Sequence, residues 1–144
     1  MKNIFITLAV ALAFCFTASA DDRPVDFGKL PDAAKDFVTT YYAQDKVISV
    51  TKDDDFVAPD YEVVLDNGTV LQFSSSGVLE KIEAFKEGVP VSLIPKKIQE
   101  YVSNNYQGVF YREYEIDRGK YEVKLSNGLE LTFNNAFTLI EIDY

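Results

Sequence analysis

Histidine and tryptophan are missing from this 144-residue chain, cysteine occurs once, at Cys15, and basic residues are outnumbered 14 to 23 by acidic ones. Each shortage removes a chemistry. Without imidazole there is no Ser-His-Asp or Cys-His nucleophile pair and no His-ligated zinc, and one thiol cannot build a structural metal site. A formal charge of −9 repels phosphate backbones, which argues against nucleic acid as a partner. With 47% hydrophobic residues the chain has enough for one ordinary domain and is too short for a large multidomain enzyme.

Long apolar runs are scarce too. Ile4 to Phe16 is one, with Lys2 before it and Ala18-Ser19-Ala20 after it. That order is a signal peptide cleaved after Ala20, and about 13 apolar residues fall short of the roughly 20 that a membrane-spanning helix needs. Phe14 stands where a lipoprotein signal needs a small residue before its cysteine, so no lipid anchor is expected. Cleavage removes Lys2 and Cys15, which takes the charge from −9 to −10 and leaves no cysteine. The mature chain is therefore expected to be periplasmic, with no membrane insertion, and held by its core alone, as a domain of this size can be.

The mature chain is one motif written twice. Tyr61-Glu-Val-Val-Leu-Asp-Asn-Gly68 recurs as Tyr121-Glu-Val-Lys-Leu-Ser-Asn-Gly128, an offset of 60, and Leu71, Phe73, Leu79 and Ile82 continue the match to Leu131, Phe133, Leu139 and Ile142. Upstream, Leu30-Pro31, Phe37-Val38 and Tyr42 match Ile94-Pro95, Tyr101-Val102 and Tyr106 at an offset of 64. Copy one thus carries four extra residues between Tyr42 and Tyr61. The divisions are 1–20 signal peptide, 21–85 copy one, 86–90 junction and 91–144 copy two.

Each copy opens with a helix, because Leu30, Ala34, Phe37, Val38 and Tyr41 fall on one stripe, Ile94, Ile98, Tyr101 and Val102 repeat it, and Pro31 and Pro95 suit a first turn. Four alternating runs follow, near 46–52, 60–65, 69–73 and 78–84, then 108–116, 120–125, 129–133 and 137–143. The unit is αββββ. A three-residue loop Asp66-Asn67-Gly68 with a left-handed glycine sets Leu65, Val63 and Tyr61 opposite Thr69, Leu71 and Phe73, and the same register works in copy two. Arg118-Gly119 closes a two-residue turn that pairs Tyr114 with Val123, Glu113 with Lys124 and Glu115 with Glu122. The charged row Glu113-Lys124-Glu130 that results belongs on a solvated face. The fold class is α+β, with helices packed on one face of antiparallel sheet and the other face bare. The copies can form one continuous eight-stranded sheet or two four-stranded lobes.

A signal peptide, tandem αββββ units, Leu/Ile-Pro helix starts and Tyr-Glu-Val-x-Leu-x-Asn-Gly hairpins together resemble the PepSY-like, β-lactamase-inhibitor-like periplasmic proteins of Bacteroidetes. The resemblance covers about residues 27–143. It implies an α+β fold without enzymatic activity that binds or restrains another exported protein, such as a hydrolase. The inhibitors that lend the name carry disulfides absent from this chain, and none of their inhibitory residues carries over by a matching motif.

Carboxylates, lysines, tyrosines and hydroxyls are the reactive groups left. Glu62 and Glu122 hold the same place in the two copies and read as solvated strand residues, while Ser92 and Lys96 are four apart, not in S-x-x-K spacing, so the chain reads as non-catalytic. Asp53, Asp54 and Asp55, with Asp60 nearby, are hard oxygen ligands suited to calcium. Val57 stands where an EF-hand needs its third acid, so the main reading is a solvated loop and the alternative a calcium or small-ligand site. No other cofactor is expected. The bare face is the expected contact surface for an exported protein or peptide, and alternation assigns to it Val64, Val70 and Gln72 from copy one and Tyr111, Lys124, Glu130 and Thr132 from copy two.

Overall fold

Both apolar stripes become ten-residue helices, α1 over Asp32–Tyr41 and α2 over Lys96–Asn105, each led in by a short 3-10 turn. Pro31 and Pro95 sit one residue before the helix, where a missing N–H is harmless and their carbonyls accept from Lys35 and Gln99 at 3.1 and 3.0 Å. The computed structural model describes residues 22–54 and 60–144. The expected signal segment with its cleavage after Ala20, and Asp55, lie outside the described residues. Leu30, Ala34 and Val38 are buried from the first stripe and Ile94, Ile98 and Val102 from the second. Tyr41, expected on the stripe, is 46% exposed; the inward turn of the chain at the helix end goes to Tyr42 instead.

The strands are β1 Asp22–Pro24, β2 Val47–Asp53, β3 Tyr61–Leu65, β4 Val70–Phe73, β5 Leu79–Glu83, β6 Tyr111–Asp117, β7 Lys120–Leu125, β8 Glu130–Phe133 and β9 Leu139–Asp143. They form one antiparallel sheet in chain order. The continuous arrangement thus holds, with a ninth strand added in front of α1. The seam is β5 against β6, where Lys81, Ile82 and Glu83 oppose Glu115, Tyr114 and Glu113. β1 stands to β2 across α1 as β5 stands to β6 across α2, so β1 takes the place at the start of the sheet that a fourth strand takes at the seam.

The hairpins follow the side-chain logic. Tyr61 opposes Phe73 and Val63 opposes Leu71, the Leu65 N–H donates to the Thr69 carbonyl at 2.9 Å, and Gly68 has φ +86°, which a glycine adopts without Cβ strain. Copy two repeats the register with Tyr121, Phe133, Val123 and Leu131. Asn67 and Asn127 each use the side-chain oxygen to accept the N–H two residues on. Arg118 and Gly119, both at positive φ, close the β6–β7 turn.

Helices and sheet meet in equivalent contacts. Phe37 meets Phe73 edge-on at 5.6 Å, and Tyr101 meets Phe133 edge-on at 5.6 Å. A row of fully or nearly sealed residues, Val50, Val63, Leu71, Ile82, Tyr114, Val123 and Leu131, runs under both helices. Each such side chain contributes about 1.5–3 kcal/mol of apolar burial, and because the row crosses the seam the two copies share one core.

Candidate functional site

On the opposite face the register lines up two rows that no helix covers. One runs Thr51, Glu62, Gln72, Lys81, Glu115, Glu122, Thr132, Glu141, and the other Ser49, Val64, Val70, Glu83, Glu113, Lys124, Glu130, Asp143. The copy-one part is mild, with Val64 beside Val70 and Gln72 donating to Glu62 at 3.3 Å. Beyond the seam carboxylates dominate. Lys81 Nζ lies 2.8 Å from Glu83, 3.6 Å from Glu113 and 3.9 Å from Glu115, and Lys124 Nζ lies 3.6 Å from Glu113. Burial alone would lower the Lys81 pKa, but the hydrogen bond to Glu83 and the charges of Glu83, Glu113 and Glu115 outweigh it and raise it.

Glu122 is where these carboxylates press hardest. Burial first, then the charge and hydrogen bond of Glu130 and the charge of Glu115, push its carboxyl up to about 7, against a smaller opposing pull from Lys81.

Of the residues expected on this face, Val64, Val70, Gln72, Lys124, Glu130 and Thr132 lie in the two rows, although Thr132 is only 9% exposed. Tyr111 does not. It pairs with Leu125 and is buried at 5% on the helix side, because a bulge at Arg112 inserts one residue and reverses the alternation. The clue was an apolar spacing of three, Tyr111 to Tyr114, matched by Val47 to Val50 across the equivalent bulge in copy one. Lys81, Glu115 and Glu141, which the sequence reading did not assign to the contact surface, extend the row by pairing with Gln72, Glu122 and Thr132 inside their own copies, and the seam pair Lys81–Glu115 joins the two halves.

The acidic loop divides. Asp54 pairs with Arg23 and lies 3.4 Å from Lys52, so two cations of the protein already answer it. Asp53 and Asp60 instead come together with Asp22 and Glu62 around a polar hollow of about 270 Å³. Oδ1 of Asp60 is buried without a hydrogen bond, and burial followed by the Asp53 charge raises its pKa. Among the described residues no three such side chains stand close enough together to hold a metal ion.

The sequence profile of a family described as "Putative beta-lactamase-inhibitor-like, PepSY-like" matches the chain over residues 19–81 and again over 59–141. Among solved structures the chain is similar to a "putative calcium-regulated periplasmic protein" from Bacteroides thetaiotaomicron, at 37% identity and a TM-score of 0.84 over 86% of this chain and 98% of that one. It is similar also to two proteins from Bacteroides vulgatus described as periplasmic. One is 34% identical with a TM-score of 0.84 over 88% of this chain and 99% of its own, and the other 32% identical with 0.81 over 85% and 99%. No curated protein matches the chain.

Proposed function

The chain belongs to the PepSY-like family, and from that membership we propose that it works in the periplasm as an exported, non-catalytic binding module whose bare sheet face engages another exported protein or peptide. Relatives described as periplasmic support the location, and among the described residues no helix is long and apolar enough to cross a membrane. The observation that carries the reading is the pair of cross-strand rows, continuous over eight strands on a face without helices. Glu62 and Glu122 lie four strand spacings apart in one row, about 19 Å, well beyond the separation at which two carboxylates share a hydrolysis. From β5 to β9 the face sets seven carboxylates, from Glu83 to Asp143, against Lys81 and Lys124, so a complementary partner surface is basic.

The test is affinity capture from the envelope fraction of the source organism with residues 21–144 as bait, comparing the unaltered chain with Val64→Lys and Glu130→Lys, each of which sets a positive charge against a basic partner. One protein retained by the unaltered chain and lost with both variants is the expected result. Equal retention by all three baits would place the interaction elsewhere and end this reading.

A second reading, a calcium-responsive protein, is favoured by the description of the relative from Bacteroides thetaiotaomicron and by the acidic lining of the hollow, where Asp22, Asp53, Asp60 and Glu62 would have to draw together around the ion. Here millimolar calcium should raise the melting temperature by mass action, and Asp60→Asn should abolish the rise. An equal rise in the variant would remove the hollow from consideration.

A further inference from the structure

Where the end of α1, the tip of the β3–β4 hairpin and the junction between the copies meet, they enclose a hollow of about 410 Å³. Its apolar surface is unusually open. Tyr41 is 46%, Val91 54% and Phe110 41% exposed, and the Phe110 ring lies against Gly88, where an added Cβ would come within 3.0 Å of it.

The rim is acidic. Asp45 and Glu87 both line the hollow, with Asp66 close by, and burial followed by the charges of Glu87 and Asp66 raises the Asp45 carboxyl. Asn67 Nδ2 donates to Glu87 Oε2 at 3.2 Å, which ties the hairpin tip to the junction, and among the described residues no cation pairs with Asp45 or Glu87. The wall holds Tyr42, 95% buried by the measure of its 5% exposure, whose hydroxyl has no hydrogen-bond partner. Burial first and the Asp45 charge second push that phenol up to about 12, so it stays a neutral hydroxyl whose oxygen can accept an N–H.

We propose that this hollow is a binding site for a cationic alkyl side chain, the lysine of a basic peptide, whose ammonium sits among Asp45, Glu87 and the Tyr42 hydroxyl while its methylenes lie on Tyr41 and Phe110. The assignment rests on charge complementarity, on aromatic faces that attract cations, and on an unpartnered buried hydroxyl. It is independent of the bare sheet face. Copy two supplies an internal contrast, because its equivalent tyrosine, Tyr106, lines an adjoining hollow of about 500 Å³ with Val109 in place of Asp45, and the sequence has Asn105 where copy one has Tyr41.

Calorimetric titration with pentalysine, and with its Nε-acetylated form as a neutral control, decides the matter. Asp45→Asn combined with Glu87→Gln should weaken pentalysine binding at least tenfold. Glu115→Gln combined with Glu141→Gln removes two carboxylates from the bare face and should change it less than twofold. Tyr41→Ala, at an exposed position that leaves the fold intact, should weaken it several-fold, and amide shifts in NMR should centre on Tyr41, Asp45 and Phe110. No pentalysine binding, equal binding by the acetylated peptide, or a larger loss from the bare-face pair would each overturn the proposal.

Discussion

Ile82 and Ile142 hold the same place in the two copies, yet the first is sealed at 0% and the second is 41% exposed. Local sequence does not separate them, since both sit in five-residue strands that begin with leucine and pair with equivalent neighbours, Leu71 and Leu131. What differs is the other side. β5 lies between β4 and β6, whereas β9 has β8 on one side and an open edge on the other. In a tandem array, burial is set by position in the array as much as by the motif, as expected when each unit completes its core on the next. The two halves of the bare face diverge in the same way, mild in copy one and crowded with carboxylates in copy two.

The sharpest way to break this comparison is to truncate both isoleucines. Ile82→Ala should cost about 3–4 kcal/mol, the price of a sealed cavity, and Ile142→Ala less than about 1 kcal/mol; equal shifts in the urea midpoint would mean that something covers β9 in solution. Next is Gly77, whose φ is +85° and where a Cβ would stand 2.8 Å from Pro31 Cβ and 3.0 Å from the Ala34 nitrogen. Gly77→Ala should lose about 2–3 kcal/mol, against ~1 kcal/mol for Gly128→Ala, which meets open space at φ +91°.

A smaller effect separates the two equivalent glutamates. The folded-state pKa of Glu122 is raised to about 7 from the ordinary 4.5, so its contribution is fully present below pH 4.5 and is lost as pH rises through 7. Glu122→Gln should therefore add ~1 kcal/mol at pH 8, a figure discounted for the water that screens this face, and flatten the melting temperature between pH 5 and 8. Glu62→Gln should change the unfolding free energy at pH 8 by less than about 0.5 kcal/mol. The smallest effect is at Arg118, a non-glycine at φ 48°. Asparagine tolerates that conformation better, and Arg118→Asn should gain roughly 0.5 kcal/mol in thermal unfolding.

Much of the architecture is legible because the motif occurs twice. The hairpin register that puts Leu65, Val63 and Tyr61 on one apolar face does the same for Leu125, Val123 and Tyr121, so a one-residue slip would mix polar and apolar groups in both copies. Three things escaped. β1 is three residues, Asp22-Arg23-Pro24, with no alternation to detect. Joining of the copies depends on a strand pairing formed across α2, which local periodicity does not encode. Tyr111 was misplaced because alternation assumes an unbroken ladder, and the bulge at Arg112 breaks it. The same limits govern the candidate surface: Glu115 is legible opposite Glu122 within copy two, while its approach to Lys81 depends on the seam.

Strand order follows chain order from β1 to β9 without exception. No strand has to wait for a partner from the far end of the chain, and the longest detours between neighbours are a ten-residue helix with its flanking turns. Loop-closure costs are correspondingly small, and either hairpin, β3–β4 or β7–β8, can nucleate alone. A chain that emerges one end first can therefore lay down each new strand beside the last as it appears, so that a half-finished molecule presents a single growing edge.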